Sequence, residues 1–219
     1  SLRLSRKLKL EKLTESKSPA TEPLFSPDGK KILYTEGNAN VRVMDFDGGN
    51  DKELFPHWSV QNYSWSPDGQ WVAISRYDAN FNSDILIMPA EGGKAINVTR
   101  HPDADENPVW SADGTILAWS TSRHSASPNS NNYDVYYLYL TQELHERTKE
   151  EWEIWEKTRD LPPPSAKKDD ADKDDEDDAD KDDDEADDEE EEKLNVVIDF
   201  DDIYLRAQRL TSGKGMEQV

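Results

Sequence analysis

The sequence predicts an all-β chain, a partial β-propeller of about three four-stranded blades with a helical and acidic disordered insertion in the third blade. Two observations predict this fold. A turn motif occurs three times, with its serines 40 and 45 residues apart, and each copy is followed by short segments rich in β-branched and aromatic residues. Four short strands in a period of about 40 to 45 residues are typical of a propeller blade.

The repeated turn has an aromatic residue, then Ser, Pro or Ala, Asp and Gly, at residues 25–29, 65–69 and 110–114. Proline restricts φ, aspartate can accept hydrogen bonds from nearby backbone amides, and glycine accepts the positive φ that reverses the chain. We therefore predict that Asp28, Asp68 and Asp113 form turns. The aromatic residue should pack between neighbouring blades rather than stack on a ligand, and its three copies are Phe25, Trp65 and Trp110.

Three further segments follow each turn and are predicted to be the other strands of the blade. The second segments are Ile32–Thr35, Val72–Ser75 and Leu117–Ser120. The third segments are Val41–Met44, Ile85–Met88 and Val135–Leu138. The fourth segments are Leu54–Phe55, Val98–Thr99 and Leu210–Thr211. The predicted blades are residues 15–55, 56–99 and 100–211, with the last strand of a preceding blade in residues 1–14 and the start of the next blade in 212–219.

The third blade is interrupted by an insertion, residues 141–195. Its first part, 142–160, is predicted to be a helix with Leu144, Trp152 and Trp155 on one face; alternatively, a capping box at residues 148–151 restarts the helix. The two tryptophans either pack on the rim of the propeller or dock another domain or subunit.

The rest of the insertion, residues 167–193, is predicted to be an acidic disordered tract because it has too little apolar surface to offset its ordering entropy. Residues 169–192 hold 19 acidic residues and two lysines, a net of −17 out of −22 for the whole chain. The tract is either a solvated, self-repelling loop or a weak sink for Ca²⁺ or cationic peptides.

Global composition excludes several classes of function. The acidic net charge argues against nucleic acid or an anionic membrane as a partner, and no apolar run is long enough to span a membrane. The chain has no cysteine, so it has no disulfide, thiolate nucleophile or zinc–thiolate site. Because it begins without Met or a signal peptide, we expect it to be a piece of a longer protein.

The repeat resembles the TolB-type propeller repeat, most clearly at Ser83–Met88 and Asn107–Gly114. Such repeats occur in periplasmic Tol proteins, prolyl-oligopeptidase relatives, amidohydrolase-linked chains and tricorn-type proteases. The segments flanking the acidic tract, Thr148–Trp152 and Val197–Thr211, look like tricorn-type proteases of the carboxyl-terminal-processing-peptidase clan. The chain departs from that pattern at Tyr204 and Leu205, since an acidic residue is commoner there.

The resemblance to tricorn-type proteases implies a non-catalytic propeller segment that filters or gates peptides, or mediates protein interaction, for a serine-type peptidase core outside this chain. The alternatives are a TolB-like periplasmic protein-binding scaffold and the propeller of a prolyl-oligopeptidase-type or amidohydrolase enzyme. The expected partners are peptides or proteins and other domains of the same polypeptide, with homo-oligomers left open. The first alternative favours the periplasm, whereas the tricorn-like resemblance favours the cytoplasm.

The candidate binding residues recur about four residues before each turn serine and are Glu22, Gln61, Asn62, Glu106 and Asn107. They either line the passage of the propeller for an extended peptide, because the first strand of a propeller blade is innermost, or simply begin strands and cap turns. The histidines and glycines match no catalytic or metal-binding motif, so we expect no catalytic residue, no metal site and no cofactor.

Overall fold

The computed structural model describes residues 11–37, 39–123, 133–158 and 194–211 of the chain. They contain three four-stranded antiparallel sheets, each built from four strands that are consecutive in the sequence. One compact unit, residues 1–145 with 194–219, holds the sheets, and residues 146–193 form a second unit. The three sheets confirm the predicted all-β, partial β-propeller fold.

The strands of each blade pair in chain order. The first blade contains β1 (Ala20–Phe25), β2 (Lys31–Glu36), β3 (Asn40–Asp45) and β4 (Lys52–Phe55). The second contains β5 (Val60–Trp65), β6 (Trp71–Tyr77), β7 (Ser83–Pro89) and β8 (Ile96–Asn97). The third contains β9 (Asp105–Trp110), β10 (Ile116–Thr121), β11 (Asp134–Tyr139) and β12 (Gln208–Arg209).

Two predicted outer strands differ from those observed. The predicted strand at Val98–Thr99 lies instead at Ile96–Asn97, because the Asn97 side chain accepts hydrogen bonds from the backbone N–H groups of Thr99 and Arg100, both at 3.0 Å, and turns the chain. The strand predicted at residues 210–211 ends at Arg209. Of the strand predicted in residues 1–14, the described part, 11–14, carries no regular structure.

The apolar core lies between neighbouring blades. In the second blade, Val72 and Ile74 pack in a cluster with residues of the first blade, whereas Ile85 and Ile87 pack with residues of the third. Because both faces of this sheet are covered, β7 is buried at six consecutive residues, Ser83–Met88. Residues 85–88 of this strand therefore form an apolar run rather than an alternation of apolar and polar residues.

In the second and third blades, the aromatic residue of the turn packs between blades, as predicted. Trp65 is only 7% exposed, and its indole N–H donates to the Leu24 carbonyl of the preceding blade at 3.2 Å. Trp110 repeats this arrangement by donating to the Ser64 carbonyl at 3.4 Å. Phe25, in the first blade, is 58% exposed. The described residues contain no blade preceding the first, and so no carbonyl or apolar surface that would cover Phe25.

The three turns have the same hydrogen bonds. In the second turn, the Ser66 hydroxyl donates to Asp68 Oδ1 at 2.5 Å and accepts from the Trp71 backbone N–H at 2.9 Å. Gly69 has φ of 71°, where a side chain would be strained. The other two turns repeat the serine–aspartate bond, and the hydrogen bond from Ser26 holds the pKa of Asp28 below its usual value. The aspartates are thus turn formers, as predicted.

The single helix predicted at residues 142–160 is wrong, because two helices occupy this region. They are α1 (Gln142–Glu146) and α2 (Lys149–Thr158). The break is the capping box considered above: the Glu151 carboxylate accepts from the Thr148 backbone N–H at 2.7 Å, and Thr148 Oγ1 accepts from the Glu151 N–H at 3.3 Å. In α2, the rings of Trp152 and Trp155 meet edge to face. Residues 159–160 and the acidic tract lie outside the described residues. None of the helices in the described ranges is long and apolar enough to cross a bilayer.

The returning segment, residues 194–211, is fixed where the insertion leaves and rejoins the third blade. The Asp199 carboxylate accepts from the Gln142 backbone N–H at 2.9 Å. Arg206 is 2% exposed, and its guanidinium donates to four carbonyl oxygens, those of Tyr139, Leu140, Asp199 and Asp201. Burial lowers the pKa of this guanidinium. We name this arrangement the arginine clamp; it gives Arg206 a structural role.

Tyr204, where the sequence departs from the expected acidic residue, contacts the end of the second blade. Arg100, at the end of the second blade, lies over the Tyr204 ring with its guanidinium carbon 4.5 Å from the ring centroid. A tyrosine here attracts arginine through its ring face, where an acidic residue would form an ion pair.

Candidate functional site

The five candidate residues lie on the first strands of the three blades, and each first strand is irregular at or beside them. The pairing of β1 with β2 shifts between Thr21 and Leu24, and that of β5 with β6 shifts between Val60 and Asn62. The pairing of β9 with β10 shifts between Ala118 and Ser120, opposite Asn107. Each shift inserts an extra residue into the first strand, which defines a β-bulge, a feature frequent next to functional sites.

The bulges of the first and third blades have left-handed backbone. Glu22 has φ of 55° and Asn107 has φ of 56°. Both are followed by proline, which has no N–H for the ladder and disfavours the right-handed helical conformation in the residue before it. In the second blade Tyr63 replaces the proline, and the bulge falls one residue earlier, at Gln61. The proline therefore sets where the chain leaves the regular ladder.

The five side chains fall into two groups. Three are bound to neighbours: Asn62 Oδ1 accepts from the Ser75 hydroxyl at 3.4 Å, Gln61 donates to Ser59 Oγ at 3.1 Å, and Glu106 accepts from the Tyr77 hydroxyl at 3.1 Å. The Glu22 and Asn107 side chains are exposed and make no hydrogen bond within the part of the chain that the structure describes. A strained backbone that displays free polar side chains costs about 1 kcal/mol or more at each position and favours a binding role.

Hydrogen bonds between blades hold the first strands side by side. The Tyr63 hydroxyl of β5 donates to the Glu22 carbonyl of β1. On the other side, the Ser64 hydroxyl of β5 donates to the Pro108 carbonyl of β9 at 2.8 Å. The residues on either side of each bulge are therefore positioned across the blade interface as well as within the sheet. Burial raises the pKa of Tyr63, so its hydroxyl stays protonated and remains a donor at neutral pH.

Sequence reasoning missed a buried ion pair beside this site. The Asp105 side chain, at the start of β9, is fully buried and accepts from the Trp119 indole N–H at 2.9 Å and from Arg123 Nη2 at 2.8 Å. The Arg123 guanidinium also lies over the rings of Trp119 and Tyr136. No pattern in the sequence indicates that its partner lies 18 residues away across the sheet.

A second missed feature is a repeated Asp–Thr pair that joins the third and fourth segments. Thr99 Oγ1 accepts from the Ile85 N–H at 3.1 Å and lies 3.4 Å from Asp84 Oδ1. Thr211 Oγ1 makes the same two contacts, with the Val135 N–H and Asp134. Burial raises the pKa of Asp84. The sequence does contain a signal for this pair. In both the second and the third blade, Asp precedes an aliphatic residue in the third segment and Thr follows one in the fourth.

The acidic side chains on the first strands already have protein partners, except that of Glu22. Within the described ranges, no group of three or more His, Asp or Glu side chains could hold a metal ion. The Asp105 carboxylate is occupied by Trp119 and Arg123, and Glu106 accepts from Tyr77. The arrangement on the first strands therefore offers hydrogen bonds and one exposed carboxylate, that of Glu22.

Comparison with known proteins gives the following relationships. A family model described as the TolB beta propeller domain matches residues 9–136. The chain is 34% identical over 95 residues to Tricorn protease homolog 1 of Streptomyces coelicolor, covering 40% of this chain and 9% of that protein. It is 30% identical over 101 residues to the Tol-Pal system protein TolB of Anaeromyxobacter dehalogenans, covering 45% of this chain and 23% of that protein. It is 26% identical over 127 residues to the uncharacterized peptidase YuxL of Bacillus subtilis, covering 58% of this chain and 19% of that protein.

Two solved structures share the fold. The structure resembles that of the tricorn protease with a TM-score of 0.57 and 12% identity, covering 90% of this chain and 18% of that one. It resembles TolB from Acinetobacter baumannii with a TM-score of 0.50 and 19% identity, covering 59% of this chain and 32% of that one. The chain thus spans less than a quarter of the length of each of the three curated relatives above.

Proposed function

Because the chain belongs to the TolB β-propeller domain family, whose model matches more than half of its length, we propose that it is a non-catalytic module that binds extended peptides along its first strands. The observation that carries this proposal is the repeated bulge, with strained backbone and free side chains at Glu22 and Asn107. An exposed strand edge or bulge can pair with the backbone of an extended peptide, and adjacent polar side chains can bind its amides.

More specifically, the chain is a propeller segment of a tricorn-like serine protease in the cytoplasm. It filters or gates peptides for a proteolytic core outside this chain. The identity of 34% to Tricorn protease homolog 1 supports this form, and no residue of the chain is assigned a part in bond cleavage.

The alternative is a TolB-like scaffold that binds folded proteins in the periplasm. The identity of 30% to a Tol-Pal system protein TolB favours it, over a comparable share of this chain. The two forms differ in the partner, since a filter binds extended peptides of many sequences, whereas a scaffold binds the surface of one folded protein.

Glycine substitutions at the bulges test the proposal without a loss of folding. Glycine tolerates positive φ, so Glu22→Gly together with Asn107→Gly removes both free side chains while relieving backbone strain. We expect the double variant of the intact polypeptide to keep or raise its melting temperature. Its affinity for a pool of nine-residue neutral peptides, measured by fluorescence anisotropy, should fall at least fivefold.

The matched control is Asn50→Gly, since Asn50 has φ of 50° in the hairpin between β3 and β4, away from the first strands. Its peptide affinity should equal that of the parent. Equal affinity in the bulge variant and the control would contradict the proposal, as would binding of a folded partner with no measurable peptide binding.

A further inference from the structure

An exposed row of aromatic rings lies where the first blade passes to the second. We name Phe55, His57, Trp58 and Phe81 the aromatic row. Successive ring centroids are 5.6, 5.7 and 5.9 Å apart, and the last pair meets edge to face. Trp58 is 54% exposed and Phe81 is 75% exposed. Two large aromatic side chains in mutual contact and open to solvent are unusual on a surface that serves no binding role.

The loop between β6 and β7 holds Phe81 in place. Asp78 Oδ1 accepts from the backbone N–H groups of Asn80 at 2.7 Å and Asn82 at 3.0 Å, and the Asn82 side chain donates to the His101 carbonyl at 2.6 Å. Phe81 has φ of 61°, a strained conformation for a bulky residue. The loop therefore presents the ring to solvent at an energetic cost that burial does not offset.

The aromatic row continues into the bulge of the second blade. His57 Nδ1 accepts from the Ser59 N–H at 3.1 Å, and Ser59 Oγ accepts from the Gln61 side chain at 3.1 Å. Burial, together with the positive charge of nearby Arg76, lowers the pKa of His57, so the imidazole itself is mainly uncharged at pH 7. A peptide on the first strands would thus meet the aromatic row at the start of β5.

Other aromatic rings of this chain contact arginine side chains. Arginine guanidinium groups lie over aromatic rings at three other places, at 4.5 Å from Tyr204, 4.9 Å from Tyr136 and 4.9 Å from Trp152. Among the described residues, none places a guanidinium or ammonium group over Trp58 or Phe81.

The charge beside the row also suits a cationic partner. Backbone hydrogen bonds from the loop lower the pKa of Asp78, so this carboxylate beside Phe81 is ionised, although Arg76 lies near enough to offset part of its charge. Outside residues 169–192, the chain carries a net charge of −5.

We infer that the aromatic row binds a basic side chain, arginine above all, of the extended peptide that occupies the first strands. The inference rests on the proposed function and adds a preference to it. The guanidinium would lie on the faces of Trp58 and Phe81, with the Asp78 carboxylate as its counter-charge.

The test compares three nine-residue Gly–Ser peptides with arginine, citrulline or norleucine at every second position. Citrulline keeps the planar shape of arginine without its charge, and norleucine keeps its apolar stem. By calorimetry with the intact polypeptide, we expect the arginine peptide to bind at least ten times more tightly than the other two. Phe81→Ala or Trp58→Ala should reduce this preference at least fivefold, whereas Phe46→Ala, which removes a 60% exposed ring from a different hairpin, should not.

Equal binding of the norleucine peptide would overturn the inference in favour of plain apolar docking. An arginine preference that survives Phe81→Ala would also overturn it, because the acidic tract, which every variant keeps, would then be the source. The citrulline peptide separates the two proposals. Suppose that the citrulline peptide binds as tightly as the arginine peptide and loses affinity when Glu22→Gly and Asn107→Gly are combined. The aromatic row then does not select arginine, but the peptide site on the first strands stands. If no peptide binds, both proposals fail.

Discussion

Replacing Asp105 with asparagine is expected to lower the free energy of unfolding by about 3–5 kcal/mol, the usual result when one partner of a buried ion pair is removed. Asparagine fits the space and can still accept from the Trp119 indole, but it leaves the Arg123 guanidinium, with a side chain 9% exposed, without its counter-charge. Because Arg123 also packs on Trp119 and Tyr136, the loss extends into the core between the second and third blades. Urea denaturation monitored by tryptophan fluorescence measures the change.

The matched control is Asp103→Asn, two residues earlier. Asp103 is half exposed and lies 3.4 Å from His101 Nδ1, so its loss should change stability by less than about 1 kcal/mol. A similar small effect at both positions would show that the Asp105–Arg123 pair does not hold the third blade.

Replacing Arg206 with methionine is expected to lower the free energy of unfolding by about 2–4 kcal/mol, because four carbonyl oxygens lose a charged hydrogen-bond donor. Methionine fills much of the same volume, so the change isolates the hydrogen bonds of the arginine clamp from its packing. Arg206→Lys should recover only part of the loss, since an ammonium cannot reach carbonyls on both sides as the planar guanidinium does. Thermal and urea unfolding of the intact polypeptide provide the measurement.

Deletion of residues 169–192 should change the melting temperature far less than Arg206→Met does. The arginine clamp and the Asp199–Gln142 bond close the base of the insertion without using the acidic tract. Deleting 24 residues should therefore leave the melting temperature nearly unchanged, whereas the single substitution lowers it by several degrees. A deletion that destabilises as much as Arg206→Met would mean that the tract itself supports the blade.

The blades could be predicted from the sequence because their signals are local and repeated. Ser66, Asp68 and Gly69 lie within one turn, and the hydrogen bonds that shape this turn fall within residues 66–71. The period of the motif then places the strands, and the capping box at Thr148 was equally readable, since its two members lie three residues apart.

The remaining features depend on pairings that no local pattern records. The bulges could not be predicted because the backbone at Glu22 and Asn107 is set by the proline that follows together with the register of the neighbouring strand. The candidate residues were found by their recurrence, but nothing in the sequence separates the free side chains from the bonded ones. The aromatic row was missed because Trp58 and Phe81 lie far apart in the sequence and meet only when a linker and a loop fold together.

Photo-crosslinking tests the peptide site on the first strands most directly. A nine-residue peptide with benzoylphenylalanine at its centre is irradiated with the intact polypeptide, and the attachment sites are mapped by mass spectrometry. We expect crosslinks on β1, β5 and β9, concentrated beside the bulges at Glu22, Gln61 and Asn107. Crosslinks confined to the outer strands β4, β8 and β12, or to the insertion helices α1 and α2, would contradict a peptide site on the first strands.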